Sequence, residues 1–243
     1  MNTTDKHFET LSIHAGGEDR NPKNALNYPI FMTSTFEFDS LEHADATFGF
    51  ETQDYVYTRG NNPTLKVLEE RMAVLEGGAA SVAFASGMAA ISSVLMSLLK
   101  PGDEVVAHRM LYGSAWNFIK NILPRYGVAS RLVDLTSIVD LADQITARTK
   151  VVYLETPVNP SLEIIDIAAV CDIARAKGAK VVVDNTFATP FFQRPLELGA
   201  DVVVHSATKY ISGHGDVIAG IAVAKDKDYA SELKFGYMCE FGG

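Results

Sequence analysis

Lys209 closes the run Asp201-Val-Val-Val-His-Ser-Ala-Thr-Lys209 and opens Lys209-Tyr-Ile-Ser-Gly-His-Gly-Asp-Val-Ile-Ala-Gly220. A valine-rich strand pattern thus runs straight into a cation. A desolvated lysine keeps a fraction of free amine, the form that condenses with carbonyls. The hydroxyls of Ser206 and Thr208 stand beside it and suit an anion. Asp184 ends a second valine run, Lys180-Val-Val-Val-Asp184. A carboxylate buried there calls for a cationic partner. Ser86-Gly87-Met88 follows a third short apolar run, and a turn at a helix start presents free amides to a phosphate. An amine, a carboxylate and an anion cradle are what pyridoxal 5'-phosphate (PLP) needs from a protein. Taken singly, Asp184 reads as a cap or turn residue; taken with Lys209, it reads as the partner of a protonated ring nitrogen.

These residues need strand ends and turns to hold them. From Asn62 onward the pattern alternates helix and strand. Asn62-Pro63 is an N-cap followed by proline at the first helical position. Leu65, Leu68, Met72 and Leu75 follow as an apolar face, and Gly77-Gly78 stops the helix. Strands are predicted at 81–85, 104–108, 150–155, 180–184, 200–205 and 218–224. Helices are predicted after Ser86, over 114–126, around Ile138, Leu141 and Ile145, and after the cap Asp166 with Gly178 as its stop. Continuous valine-rich strands separated by helices indicate a mostly parallel α/β sheet buried on both faces. Ligands of such sheets sit at the carboxyl ends of the strands, where Ser86, Asn159, Asp184 and 206–209 fall.

Residues 1–60 differ, with weak periodicity and many aromatics: Tyr28, Phe31, Phe36, Phe38, Phe48, Phe50, Tyr55 and Tyr57. They read as an N-terminal arm that packs on another surface, and 61–243 as the PLP-binding large domain. Met1 to Glu9 lacks the apolar core of a signal peptide, and Asn2-Thr3-Thr4 fits a glycosylation pattern that needs one. The chain has 243 residues, 47% hydrophobic, with a net charge of −9, so no basic stripe recruits a nucleic acid. No apolar stretch reaches membrane-span length. Cys171 and Cys239 lack ligand spacing, Cys171 reads as a small buried hydrophobe, and a reducing, cytoplasmic setting is expected. There is no metal-ligand spacing, no Walker sequence and no Gly-x-Gly-x-x-Gly turn, which sets aside a nicotinamide dehydrogenase.

The segments around Lys209 and Asp184 resemble the Cys/Met-metabolism (trans-sulfuration) PLP enzymes, and most closely the methionine and cystathionine γ-lyases. Also similar are Tyr57-Thr58-Arg59, Asn62-Pro63-Thr64, Glu76-Gly77-Gly78, Ala85-Ser86-Gly87-Met88-Ala89, Leu111-Tyr112-Gly113 and Glu155-Thr-Pro-Val-Asn159-Pro160. The resemblance runs from about Thr10 to the C-terminus. It implies the fold of PLP-dependent transferases, fold type I and aspartate aminotransferase-like, with the C-terminal small domain lying outside this chain. It implies that Lys209 carries PLP as a Schiff base and then moves protons on the substrate. Asp184 is expected to pair with the ring nitrogen and Asn159 with the ring's phenolic oxygen. Ser86, Gly87, Met88, Ser206 and Thr208 are expected to hold the phosphate, with Tyr112 stacked on the ring and assisting proton transfer to the leaving sulfur. Tyr57 and Arg59 are expected to reach the phosphate in a neighbouring subunit, within a homotetramer built as a dimer of active dimers.

The implied activity is a carbon–sulfur lyase reaction on a small amino acid: γ-elimination from methionine, cystathionine or a related homoserine derivative. The products are a thiol, 2-oxobutanoate and ammonia. A γ-replacement enzyme of the cystathionine γ-synthase or O-acetylhomoserine sulfhydrylase type stays open, and so does a PLP-binding fragment without turnover. Two departures bear on the substrate. Ser114 stands where methionine γ-lyases usually carry cysteine, and Met238-Cys239-Glu240 lacks their Lys-Asp pair. The family's carboxylate-gripping arginine belongs to the small domain.

Overall fold

Strand propensity, burial and topology agree over most of the chain. The computed structural model describes residues 6–17, 24–52 and 54–243, so the Asn2 motif and the first residues of the signal-peptide window lie outside them. The described residues form a seven-stranded sheet in the order β1-β7-β6-β5-β4-β2-β3. The strands are β1 (Ala80–Phe84), β2 (Glu104–His108), β3 (Ala129–Val133), β4 (Thr149–Glu155), β5 (Lys180–Asp184), β6 (Val202–Ser206) and β7 (Gly220–Ala224). Only β7 runs against the rest: it pairs antiparallel with both β1 and β6, while the other pairings are parallel. The expected mostly parallel sheet is therefore present.

Alternate side chains of these strands enter two apolar clusters, one on each face. Val152, Leu154, Val181, Val183, Val203 and Ile221 lie in one, and Val151, Tyr153, Val182, Val202, Val204 and Ala222 in the other. Burial on both faces is why the strands read as unbroken apolar runs rather than alternating ones. Covering helices include Pro63–Glu76, Gly87–Leu98 and Ile167–Ala176, each capped by the side chain the sequence offers: Asn62, Ser86 and Asp166.

Four sequence expectations change. The Pro63–Glu76 helix buries Val67, Met72, Ala73 and Leu75, leaves Leu65 in its first turn exposed, and sinks Glu69 and Glu76 into polar contacts. Glu69 Oε1 accepts the Ala83 amide and its Oε2 accepts Lys234, so the inward face is mixed rather than apolar. The helix at 114–126 is one α-turn at Gly113–Asn117, a wider π-helical turn at Phe118–Ile122 and a tight turn ending at Tyr126. The helix around Ile138 shrinks to Leu141–Gln144. Among its described residues the arm carries the short helices Phe8–His14 and Leu41–Phe48 and a bridge from Thr35 to Tyr57.

Several elements were not foreseen, the short helix Thr189–Phe192 among them. The edge strand β3 (Ala129-Ser-Arg-Leu-Val133) is only partly buried throughout and lacks the valine signature. Lys227–Leu233 continues into a π-helical segment, Lys234–Gly242, whose Met238, Cys239 and Gly242 are buried. Among the described residues no helix is long and apolar enough to cross a membrane, and no group of His, Cys, Asp and Glu forms a metal site.

Candidate active site

The carboxyl ends of five strands open onto one cavity of about 300 Å3. Ser86, Gly87 and Met88 come from the turn after β1, and Tyr112 from the loop after β2. Asn159 follows β4, Asp184 ends β5, and Ser206, Thr208 and Lys209 follow β6. All nine line this cavity together with Glu155, Pro157, Thr186, Phe187, Ile91 and Ile218. Residues up to 123 positions apart in sequence thus meet because parallel strands place all their carboxyl ends on one edge.

The antiparallel β7 has a specific part in this. Its first residue, Gly220, pairs with Phe84 on one side and Ser206 on the other. A Cβ at Gly220 would lie 2.0 Å from the Ser86 carbonyl oxygen, and one at Gly87 would lie 2.7 Å from the Ser206 Cβ. Glycine at both positions lets the Ser86–Met88 turn nest against the start of the 206–209 turn. The Ser86 hydroxyl caps the following helix by accepting from the Ala89 amide at 3.1 Å. The Thr208 hydroxyl donates to the Ala219 carbonyl at 3.2 Å and accepts the Ala219 amide at 3.0 Å, tying the turn to the entry of β7.

Asp184 and Glu155 sit side by side, Cα partners on β5 and β4. Asp184 accepts both the Thr186 amide at 3.0 Å and the Thr186 hydroxyl, and the buried Tyr153 hydroxyl reaches it at 3.5 Å. Burial pushes the Asp184 carboxyl above its usual range, against these hydrogen bonds and the nearby His205. No cationic side chain forms an ion pair with it among the described residues. Burial and the neighbouring Asp184 push Glu155 up to about 7, although the Tyr112 and Asn159 amides hold it lower than burial alone would. On the opposite face of the sheet, His205 meets the buried Glu76 at 2.5 Å, and Asn185 joins the same Glu76 oxygen at 2.9 Å. His205 is therefore a strand-packing residue, and His214 is exposed and bonds its own turn through Ser212.

One expectation is corrected here. Lys209 is exposed rather than desolvated. Its side chain lines the cavity, and no hydrogen bond or ion pair of its amine is present among the described residues. Cys171 is buried, and its thiol is pushed up to about 11 by burial and by Asp201, as an inert packing residue requires.

Tyr57 and Arg59 lie elsewhere. They are exposed and line a second cavity of about 400 Å3 with Phe48, Phe50, Lys66, Phe235 and Cys239. Arg59 donates to the Cys239 carbonyl and stacks 5.7 Å from the Tyr57 ring centre. The chain's own Lys209 cavity does not include them.

The first cavity fits PLP. A buried carboxylate without a cation suits a protonated ring nitrogen, the nested turns suit a phosphate, and Lys209 presents an amine. Asn159 lines the wall beside Asp184, and Tyr112, with 45% of its surface exposed, offers a free ring face.

Comparison with known proteins agrees with this chemistry. The family described as "Cys/Met metabolism PLP-dependent enzyme" matches residues 9–242. The L-methionine γ-lyase of Pseudomonas putida is 50% identical over 216 residues, covering 89% of this chain and 54% of that protein. A cystathionine β-lyase of Lactococcus lactis is 41% identical, covering 94% of this chain and 58% of that protein. The crystal structure of metB from Corynebacterium glutamicum superposes with a TM-score of 0.91 at 39% identity, covering 98% of this chain and 60% of that one. The chain thus spans a little over half the length of the curated relatives it matches.

Proposed function

The chain belongs to the Cys/Met-metabolism PLP-dependent enzymes, and from that premise we propose that the protein is a carbon–sulfur lyase of sulfur amino acid metabolism. Its substrate is methionine, cystathionine or a related homoserine derivative, and γ-elimination gives a thiol, 2-oxobutanoate and ammonia. The observation that carries this reading is the buried, cation-free Asp184 in one cavity with Lys209 and the Ser86–Met88 turn. Bound PLP supplies an electron sink for the charge left when protons depart from the substrate.

The chain's residues have separate tasks. Asp184 neutralises and orients a protonated ring nitrogen, held in place by Thr186. Asn159 takes the phenolic oxygen. Ser86, Gly87, Met88, Ser206 and Thr208 take the phosphate. Lys209 would hold the cofactor through its amine and would serve as the group that moves protons at the substrate's Cα and Cβ. Tyr112 stacks on the ring and gives a proton to the departing sulfur. Tyr57 and Arg59 serve the phosphate of a neighbouring subunit in a dimer of active dimers. That they line a cavity other than the one around Lys209 supports that assignment. Both cysteines are free thiols, which suits the cytoplasm.

Titrating the protein with PLP tests the first step: a visible absorbance band is expected, and its absence refutes the assignment. Activated homoserine esters test the second. Release of 2-oxobutanoate without added thiol marks elimination; a thioether formed only with thiol marks replacement. Ser114, in place of the cysteine usual in methionine γ-lyases, keeps that second reaction in play.

A further inference from the structure

Glu155 has no part in the scheme above, yet it is only 4% exposed and lines the same cavity. One of its oxygens, Oε1, accepts two backbone amides: Tyr112 at 2.9 Å and Asn159 at 2.8 Å. These amides belong to the loops that leave β2 and β4, which are neighbours in the sheet. Farther from the cavity, Glu163 joins the same regions through His108 and Arg109. At the cavity itself the join is Glu155. A buried carboxylate beside a second carboxylate is costly, and an apolar residue would end this strand without that cost. A carboxylate placed there calls for a compensating task.

We infer that Glu155 is a positioning residue, whose single oxygen pins the Tyr112 wall and the Asn159 wall of the cavity at a fixed separation for a planar ring. Tyr112 N–H is held at the point where its chain turns into the Gly113–Asn117 helix, so its backbone direction sets where the ring face lies. Asn159 is held four residues after Glu155, so its side chain is set relative to the end of β4. Losing the acceptor leaves two amides without a partner and lets both walls drift. The task depends on an acceptor oxygen rather than on charge. Glutamine therefore performs it, and aspartate, one methylene shorter, does not.

This inference rests on the cavity being a PLP site, and the experiment separates the two. The protein is titrated with PLP, and affinity is read from the visible band and its induced circular dichroism. Wild type, E155A, E155Q, E155D, Y112A and the E155A/Y112A pair are compared. E155A is expected to weaken binding about tenfold and to reduce the dichroism, while E155Q stays within about threefold of wild type. In the Y112A background the E155A penalty should shrink, because the two residues act as one unit. Independent penalties, or E155Q as damaging as E155A, overturn the inference. Should E155A fail to fold, the contrast between E155Q and E155D decides: aspartate is expected to be the more damaging, and the reverse order overturns it. A wild-type protein without the band refutes the PLP reading itself.

Discussion

Among the described residues, the Lys209 cavity and the Tyr57–Arg59 cavity are similar in size and built in opposite ways. The Lys209 cavity is assembled from strand ends, and its charged groups Asp184 and Glu155 are buried and held by hydrogen bonds from their own chain. The Tyr57–Arg59 cavity is assembled from loop and arm residues, with Phe48, Phe50 and Tyr57 largely exposed and Arg59 bound to a backbone carbonyl. The first has the features of a preorganised site: rigid elements, buried charge and close-packed glycines. The second has the features of a surface awaiting a partner, since several large apolar side chains of the arm (Leu26, Ile30 and Met32) are also exposed. On the proposed reading, one region supplies chemistry and the other supplies reach.

Substitutions in the first cavity should break that contrast most severely. Lys209→Ala should abolish the visible band on adding PLP and lower turnover about a thousandfold or more. Spectrophotometric titration and a 2-oxobutanoate assay measure both, and a retained band would show that another amine carries the cofactor. Asp184→Asn comes next. It keeps shape and drops the charge, so PLP affinity should fall roughly thirtyfold or more. The same change should raise the stability of the cofactor-free protein at neutral pH, because a buried carboxylate is gone. A denaturant titration showing lower stability would argue that Asp184 serves the fold instead.

The second cavity is sharpened by mixing. Arg59→Ala should lower turnover about tenfold or more while leaving the chain's own Lys209 intact. If Arg59 serves a neighbouring subunit, oligomers reassembled from Arg59→Ala and Lys209→Ala chains contain some sites with both residues. Activity of the mixture should then exceed that of either parent. No recovery on mixing would place Arg59 in the site of its own chain or outside catalysis.

How much of this was legible in sequence follows the same division. The strands of the first cavity are buried on both faces, so they print continuous valine runs, and Asp184 and Lys209 stand out as charges that end them. The β3 strand escaped because an edge strand needs no apolar run. Glu155 carried the same signal as Asp184, a carboxylate ending the strand Val151-Val-Tyr-Leu-Glu155, but its hydrogen-bond partners are backbone amides, which no sequence pattern displays. Glu69 and Glu76 hid inside an ordinary amphipathic helix. The exposure of Lys209 was illegible because it depends on what stands across the cavity mouth. The arm was legible only as a change of composition, because its described residues form short helices and loops with no long internal period.

The smallest expected effect concerns protons. Glu155 is raised from an ordinary 4.5 to about 7, and Asp184 is raised as well, both chiefly by burial. In the folded, cofactor-free protein these carboxyls hold protons that the unfolded chain has already released. The folded state therefore binds more protons across the window from the ordinary carboxylate value to about 7, and stability falls as pH rises through it. Tm should decline by a few degrees over that window and should decline less in E155Q, which has no proton there to lose. Adding PLP should flatten the slope further, since a protonated ring nitrogen beside Asp184 favours its ionised form. Thermal scans at stepped pH, with and without PLP, measure all three. A stability that rises with pH in the cofactor-free protein would mean that these carboxylates are paired with a cation in the fold, and the two cavities would then differ far less than their geometry indicates.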